Sequence, residues 1–214
     1  DADELAFKIS TSYQQKYYTI LRDNKVLWKC KYKEEAIESI GNRFDLEIGE
    51  YIEVFNPEGY KELVDSINSS IMDATDSKEC KLLLSGNNNF RFSRATLLPY
   101  KGNRSSEKPA HLDLVKSHFR DLGAISEDHL EADDLLSILS FEIDNSIICT
   151  TDKDLSTVPG RIYSIRNKTL KEIDNKLASY NFYIQLLIGD AVDNIPSPYM
   201  LGKAKAIKFM DECI

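Results

Sequence analysis

The stretch Leu130-Glu131-Ala132-Asp133-Asp134, followed by apolar residues at 135, 136, 138, 139 and 141, predicts a helix that begins with clustered carboxylates. Helical spacing places Glu131 and Asp134 on one face and turns Asp133 toward another side. Carboxylates this close repel one another unless a cation lies among them. Acidic residues in a first turn also stabilise a helix through its dipole, so metal binding and simple helix capping are both open interpretations.

The composition is that of a globular protein of 214 residues, long enough for one large domain. A net charge of −8 argues against nucleic-acid binding through bulk electrostatics, although basic side chains can still line a local track. The four cysteines (30, 80, 149 and 213) have no CxxC spacing, which predicts reduced thiols in a cytosolic protein. No apolar run is long enough to predict a membrane span.

Apolar segments that predict strands alternate along the chain with segments that predict helices. Strands are expected at about 26–32, 82–84, 145–151 and 161–165, and helices at about 34–40, 57–75, 112–122, 130–141 and 175–188. This alternation predicts an α/β fold with a mostly parallel central sheet flanked by helices. Ligands of such sheets bind beyond the carboxyl ends of the strands, an edge that would gather Asp1, Asn87, Asp152 and Asp154.

Residues 1–9 predict the end of a strand that leads into a helix, with Leu5, Ile9 and Tyr13 on the apolar face of that helix. A free amino group at Asp1 would compete with a metal ion for the neighbouring carboxylates. We therefore expect the native chain to extend further on the N-terminal side.

Three further acidic pairs follow predicted strand or helix ends, and they are Asp1 with Asp3, Asp152 with Asp154, and Asp190 with Asp193. Carboxylates without histidine or cysteine are typical of Mg²⁺ or Mn²⁺ sites rather than zinc sites. Two such ions about 4 Å apart can activate water and stabilise the leaving oxygen of a phosphodiester. The pattern therefore predicts phosphodiester hydrolysis.

Basic and aromatic side chains alternate between residues 90 and 104. Arg91, Lys101 and Arg104 would contact phosphates, and Tyr100 would stack on a base. An exposed basic loop is the alternative interpretation of this segment, but its proximity to a carboxylate cluster favours nucleic-acid binding.

These motifs resemble those of the 5′ nuclease superfamily, which comprises flap endonucleases and bacteriophage-type 5′ to 3′ exonucleases. Residues 131–134 resemble the family's central acidic motif, residues 151–155 the next one, and residues 1–3 the first. Residues 100–104 (Tyr-Lys-Gly-Asn-Arg) resemble the motif at the base of the phage members' helical arch. Residues 189–196 (Gly-Asp-Ala-Val-Asp-Asn-Ile-Pro) resemble the helix-three-turn-helix signature, and only residues 20–55 are dissimilar.

The resemblance implies a PIN-like 5′ nuclease core over residues 1–174, with an arch or clamp at about 88–112. It also implies that residues 175–214 begin a C-terminal helix-three-turn-helix DNA-binding region. The family normally continues beyond this point, so we expect a domain-sized fragment or a naturally short member.

The resemblance further implies roles for individual residues. Two Mg²⁺ or Mn²⁺ ions would be held by Asp1, Glu131, Asp133, Asp134, Asp152, Asp154, Asp190 and Asp193. Asn87 would replace an aspartate that the family usually has after its second strand. Lys101 and Arg104 would be catalytic at the scissile phosphate, and DNA would be bound by Arg91, Tyr100, Lys101, Arg104, Gly202, Lys203 and Lys205.

Besides Asn87, three further positions depart from the family pattern. Met200 and Ala204 replace a glycine and a lysine of the turn around Gly202, and Gln185 replaces a lysine shortly before the Gly-Asp pair. The turn at Gly202 is nevertheless expected to bind K⁺, as it commonly does in this family.

The function implied is that of a Mg²⁺-dependent 5′ to 3′ exonuclease or flap endonuclease in replication or repair. Its partners would be DNA with 5′ ends, flaps or RNA primers, together with replication proteins. We expect a monomer in the cytoplasm of a bacterium or a phage-infected cell, without membrane contact. Two alternatives are open: a non-catalytic, structure-specific DNA-binding protein with a weakened metal site, and a phosphatase that uses Asp1 and Asp3.

Overall fold

A computed structural model describes residues 1–104 and 107–213. In chain order the elements are α1 (Ala2–Ser12), β1 (Gln14–Arg22), β2 (Lys25–Cys30), α2 (Lys33–Ile40), β3 (Glu47–Val54), α3 (Tyr60–Thr75), α4 (Arg91–Arg94), α5 (Leu112–Asp121), α6 (Ala132–Glu142), β4 (Ile147–Thr150), β5 (Gly160–Ser164), β6 (Thr169–Ile173), α7 (Asn175–Ile188) and α8 (Lys203–Cys213). A 3₁₀ turn, Asp154–Thr157, lies between β4 and β5. The arrangement confirms the α/β class.

The main hydrophobic core forms where α1 packs against α3 and α5. Leu5 and Ile9 are buried on the predicted apolar face of α1, and they meet Val64 of α3 with Val115 and Phe119 of α5. The helix is therefore held by its apolar stripe.

A second core lies under α6. Leu135 and Leu136 of α6 pack with Leu83, with Ile148 of β4 and with Leu155. This contact positions the acidic start of α6 next to the chain that follows β4, where Asp152 and Asp154 lie.

The structure departs from the predicted mostly parallel sheet. One three-stranded sheet has the order β2-β1-β3 and is antiparallel, and the other has the order β4-β5-β6, in which only β4 and β5 are parallel. The apolar segment 82–84 is buried as expected, but in the described residues it pairs only through the parallel bridge from Leu83 to Ile125. Its other side faces Asp1 and Ala2, where the Ala2 N–H donates to the Leu83 carbonyl at 2.9 Å.

Residues 14–54 contain the antiparallel sheet together with α2, and they have a small core of their own, formed by Ile20, Cys30 and Ala36. The predicted strand and helix correspond to β2 and α2, whereas β1 and β3 were not predicted. This unit contributes no residue to the cavity that gathers the predicted site residues.

At the C-terminal end, α7 and α8 pack together through Ile184, Ala206 and Met210. The segment between them is a series of turns and extended residues. The assignment of this region as a helix-three-turn-helix element stays a prediction. No described helix combines the length and the apolar character that crossing a bilayer requires.

Gly86, directly after the segment 82–84, is predicted to be intolerant of any side chain. A Cβ at this position would lie 1.9 Å from the backbone oxygen of Glu127. We expect Gly86→Ala to lower the free energy of unfolding by about 2–3 kcal/mol, since backbone must move to relieve the overlap. Urea unfolding followed by circular dichroism measures the change.

The matched control is Gly202→Ala, where an added Cβ would meet no atom within 4 Å. This variant should stay within about 0.5 kcal/mol of the parent. Equal stability of the two variants would show that residues 86 and 127 are not in contact as described.

Candidate active site

A cavity of about 660 Å³ opens beside the first turn of α6 and collects most of the predicted site residues. The predicted residues that line it are Arg91, Tyr100, Lys101, Arg104, Glu131, Asp133, Asp134, Asp152, Asp154, Asp190 and Asp193. They come from four separate parts of the chain: residues 91–104, the start of α6, the segment after β4, and the loop after α7. Tertiary packing therefore gathers acidic and basic groups around one opening.

Asp134 is held by backbone and guanidinium donors together. Its Oδ2 accepts a hydrogen bond from the Glu131 N–H at 2.9 Å, and Arg91 donates to both of its carboxylate oxygens at 2.7 Å. Burial alone would raise the pKa of Asp134, but the hydrogen bonds from Arg91 and the Glu131 N–H, together with the charges of Arg91 and Lys101, outweigh it and hold the pKa below its usual range. The capping interpretation of the acidic helix start thus applies to Asp134.

Glu131 is surrounded by donors from the basic segment. The Lys101 ammonium lies 2.7 Å from Glu131 Oε1, and the Tyr100 hydroxyl lies 2.9 Å from Glu131 Oε2 and 2.8 Å from Asp193 Oδ2. The hydroxyl carries one proton, so it donates to only one of these carboxylates at a time. Arg104 forms an ion pair with Asp193.

The Tyr100 ring is buried, with 6% of its surface exposed, and it packs edge-on against Phe92 at a centroid distance of 5.4 Å. Burial raises the pKa of Tyr100, and the hydrogen bond to Asp193 raises it further. In this conformation the ring supports the cavity wall. The predicted stacking of Tyr100 on a base stays a prediction.

Residues 99–104 are hydrogen-bonded to the loop that follows α7. The Lys101 N–H donates to the Asp193 carbonyl at 3.0 Å, the Asn103 amide donates to the Ala191 carbonyl at 2.6 Å, and the Asn194 amide donates to the Pro99 carbonyl at 2.9 Å. The motifs at residues 100–104 and 189–196 therefore form one wall of the cavity.

A second group of carboxylates, Asp133, Asp152 and Asp154, is not neutralised by basic side chains of the cavity in this way. In the described part of the chain, no lysine or arginine forms an ion pair with Asp133 or Asp152, and Asp154 has only the exposed Lys153 at 3.8 Å. Burial, and then the charge of Asp152, raises the pKa of Asp133 to about 7 and that of Asp154 to about 6. These carboxylates repel one another, which is the electrostatic environment that a divalent cation relieves.

Among residues 1–104 and 107–213, no three histidine, cysteine, aspartate or glutamate side chains lie together in an arrangement that could hold a metal ion. The donors nevertheless fit a hard divalent cation, because they are oxygen atoms of partly buried carboxylates whose charges are not neutralised by the protein. Closer approach of Asp133, Asp152 and Asp154 would follow from the attraction of the ion.

Several predicted site residues lie outside this cavity. Asp1 caps α1, accepting from the Glu4 N–H at 3.1 Å and from the Thr150 hydroxyl at 3.3 Å. Asn87 is exposed in the loop after residues 82–84. The remaining ones are exposed at the start of α8, and they are Gly202, Lys203 and Lys205.

Two acidic residues connect α1 to the chain that follows residues 82–84 and β4: Glu4, which the sequence analysis did not assign, and Asp3, which it named only in an acidic pair and in the phosphatase alternative. Glu4 accepts from the Thr151 N–H at 2.6 Å, whereas Asp3 accepts from the Ser85 N–H at 2.9 Å and pairs with Lys116 at 2.6 Å. The only sequence signal for these contacts is their place in the acidic first turn of α1. Their partners are 82 to 147 residues away, which no local pattern indicates.

The chain shares its fold with solved structures of bacteriophage T5 nucleases. Comparison with solved structures finds the bacteriophage T5 D15 protein co-crystallised with metal ions, at 16% identity and a TM-score of 0.55 over 72% of this chain and 69% of that chain. It also finds the bacteriophage T5 flap endonuclease in a pseudo-enzyme-product complex with DNA and metal ions, at 17% identity and a TM-score of 0.55 over 71% and 66%.

A mutant of the T5 5′-exonuclease is similar to the same degree, at 16% identity and a TM-score of 0.56 over 72% of this chain and 66% of that one. Neither a family model nor a curated protein matches the sequence. The predicted resemblance to 5′ nucleases is confirmed as a likeness of fold, over about two thirds of the length of the solved proteins.

The uncompensated charge of Asp133 predicts a pH-dependent gain of stability when it is removed. The pKa of Asp133 is raised above that of the unfolded chain, so its ionisation destabilises the folded state as the pH rises through about 7. We expect Asp133→Asn to raise the free energy of unfolding by about 1–2 kcal/mol at pH 8, after allowance for solvent screening, and not to change it near pH 4. Thermal unfolding in EDTA at both pH values measures this.

Asp134→Asn is the matched control, because its carboxylate is neutralised by Arg91 and has a lowered pKa. That variant should lose stability at pH 8. A change of the same sign in both variants would contradict the division between compensated and uncompensated carboxylates.

Proposed function

We propose that this protein is a metal-dependent nuclease that hydrolyses DNA phosphodiesters at 5′ ends or flaps. The observation that carries the proposal is the 660 Å³ cavity, in which uncompensated carboxylates face Lys101 and Arg104 across one opening. Phosphodiester hydrolysis needs both kinds of group, because a metal site must activate water and cations must bind the phosphate. The shared fold with T5 proteins that were crystallised with metal ions and with DNA supports it.

The residues that would hold metal are Asp133, Asp152 and Asp154, joined by Glu131, Asp190 and Asp193 from the cavity wall. When bound, two Mg²⁺ or Mn²⁺ ions would activate the attacking water and stabilise the leaving oxygen. We also propose that its DNA substrates carry 5′ flaps or RNA primers and that the protein acts together with replication proteins.

Lys101 and Arg104 would bind the scissile phosphate. Each of them already contacts a carboxylate oxygen, Lys101 that of Glu131 and Arg104 that of Asp193. Phosphate oxygens accept the same donors with similar geometry, so a substrate would replace these carboxylates as the partner of each cation. The exchange would free Glu131 and Asp193 for the metal side of the cavity.

DNA binding without cleavage is the second candidate function. It is favoured by the three ion pairs that occupy predicted metal ligands, Arg91 with Asp134, Lys101 with Glu131, and Arg104 with Asp193. The phosphatase alternative finds less support, because Asp1 and Asp3 lie outside the cavity and their oxygens are bonded to Thr150, Ser85 and Lys116.

Cleavage of 5′-labelled flapped and blunt duplexes, with Mg²⁺ or with EDTA, tests the nuclease proposal. We expect cleavage with Mg²⁺ only, and we expect Asp152→Asn to slow it by about 10²-fold or more while DNA binding is retained or improved, because negative charge is removed. Asp113→Asn, at an exposed position of α5, is the control that should cleave normally. Binding without cleavage by the unmodified chain would favour the second candidate.

The role of Lys101 is tested separately by Lys101→Ala. Loss of a phosphate-binding ammonium that acts in the transition state should lower kcat by about 10²-fold. Lys171→Ala, at an exposed position of β6, provides the control for charge alone. An unchanged kcat in Lys101→Ala would remove this residue from the proposed catalytic site.

A further inference from the structure

The small sheet of residues 14–54 has one covered face and one open face. Helix α2 packs on the covered face through Ala36, which meets Ile20 of β1 and Cys30 of β2. Side chains alternate along a strand, so the residues next to Ile20 and Cys30 in these strands point away from α2. Most of this sheet belongs to residues 20–55, the part of the sequence that does not resemble the 5′ nucleases.

Two tyrosine rings lie side by side on the open face. Tyr17 of β1 and Tyr51 of β3 are directly opposite in the antiparallel pairing, so their side chains share one face. Thr19, two residues after Tyr17, is opposite Lys29 of β2, which places Lys29 on this face as well. The Lys29 ammonium lies 3.7 Å from the centroid of the Tyr17 ring and 4.8 Å from that of the Tyr51 ring. Because Tyr51 is 50% exposed, its ring is accessible to a ligand.

The hairpin of β1 and β2 is basic, although the whole chain has a net charge of −8. Residues 16–33 contain six lysine or arginine side chains and one acidic side chain, Asp23, which gives a net charge of +5. In the described part of the chain, Lys25, Lys31 and Lys33 are exposed and form no ion pair. The other three cations pair with acidic residues on or just before β3, and they are Lys16 with Glu50, Arg22 with Asp45, and Lys29 with Glu53. The β2 edge of the sheet is therefore positive and the β3 edge negative.

Exposed aromatic rings beside lysine side chains are the two features with which proteins bind single-stranded nucleic acid, since bases stack on the rings and ammonium groups bind the phosphates. In a duplex the bases stack on one another, so such rings select unpaired bases. The Lys29 ammonium covers the rings in the free protein. Stacking of a base on a ring is stronger than an exposed cation–π contact, so a base can replace the ammonium, which then turns to a phosphate.

The sheet is attached close to the basic wall of the candidate active site. The Ala110 N–H donates to Oε1 of Gln14, the first residue of β1, at 3.1 Å. Ala110 follows Arg104 by six residues, so the two are at most about 22 Å apart, and Tyr17 lies about 10 Å further along β1. A single strand of about ten nucleotides, at about 3.4 Å each, is long enough to cover both distances.

We propose that the open face of this sheet binds single-stranded DNA, with bases on Tyr17 and Tyr51 and phosphates along Lys29 and Lys31 at the positive edge. The ligand would be the unpaired 5′ strand of a flap, held outside the cavity. This inference rests on the proposed function, because it names the part of the DNA substrate that the sheet would hold. Binding by the sheet requires neither metal nor cleavage, so it is measured separately from nuclease activity.

Fluorescence anisotropy of a labelled oligothymidine of about 15 nucleotides, with the full chain in EDTA, tests the proposal. We expect Tyr51→Leu to weaken binding by about fivefold or more, because a stacking ring is lost. Lys29→Ala combined with Lys31→Ala should weaken it by about tenfold and lower the slope of log affinity against log salt by about 1.4. The controls are Phe141→Leu, at a ring that is 68% exposed on α6, and Lys61→Ala, at an exposed position of α3, and both should bind like the parent.

Trp28, the single tryptophan of the chain, lies on β2 next to Lys29 and provides a second measurement. Its fluorescence should change when unlabelled oligothymidine saturates the parent, and the change should need higher concentrations in the Tyr51→Leu protein. Circular dichroism shows whether that variant folds, and if it does not, the double lysine variant decides.

Equal affinity of the parent and the folded sheet variants would overturn the proposal and leave the open face to a protein partner. Equal affinity of the parent for a blunt duplex and for the single strand would also overturn it. Single-strand binding that depends on the sheet, without cleavage of flapped duplexes in Mg²⁺, would instead contradict only the nuclease proposal.

Discussion

Repulsion among carboxylates around the start of α6 is the constraint on which the rest of the site depends. Asp134 is neutralised by Arg91, Glu131 by Lys101 and Asp193 by Arg104, and each pair joins segments that are far apart in sequence. The basic segment 91–104 is therefore positioned by the acidic groups as much as by its own packing. Partly buried pairs of this kind are unfavourable to break, because the remaining charge is only partly hydrated.

The same electrostatics divides the carboxylates into two sets. One set is saturated by protein donors and shapes the cavity wall, and the other, Asp133 with Asp152 and Asp154, keeps its mutual repulsion. A divalent cation would bind the second set. A phosphate would bind the lysine and arginine side chains that pair with the first set. The cavity thus offers both parts of a site for phosphodiester chemistry, in agreement with the fold that the chain shares with the T5 nucleases.

Helix α1 connects this chemistry to the sheet. Asp3 and Glu4 in its first turn bond to Ser85, which follows residues 82–84, and to Thr151, which follows β4, while Leu5 and Ile9 anchor the helix in the main core. Just before this turn, the Asp1 amino group donates to the Cys149 carbonyl and the Ala2 N–H donates to the Leu83 carbonyl, which ties the start of α1 to both segments. The observed pairing is mostly antiparallel because β1, β2 and β3 form an antiparallel sheet of their own and β6 pairs antiparallel with β5.

Local patterns in the sequence by themselves determined the helix that begins at residue 132, the apolar stripe of α1, the buried segment 82–84 and the clustering of carboxylates at element ends. Each of these depends on side chains within one or two turns, or within one strand, of each other. Tertiary structure alone decided which carboxylates are neutralised, that Tyr100 is buried, and that Asp1 caps α1 and does not line the acidic cavity. These outcomes depend on contacts such as Arg91 with Asp134, 43 residues apart, and Glu4 with Thr151, 147 residues apart, which spacing along the chain does not encode.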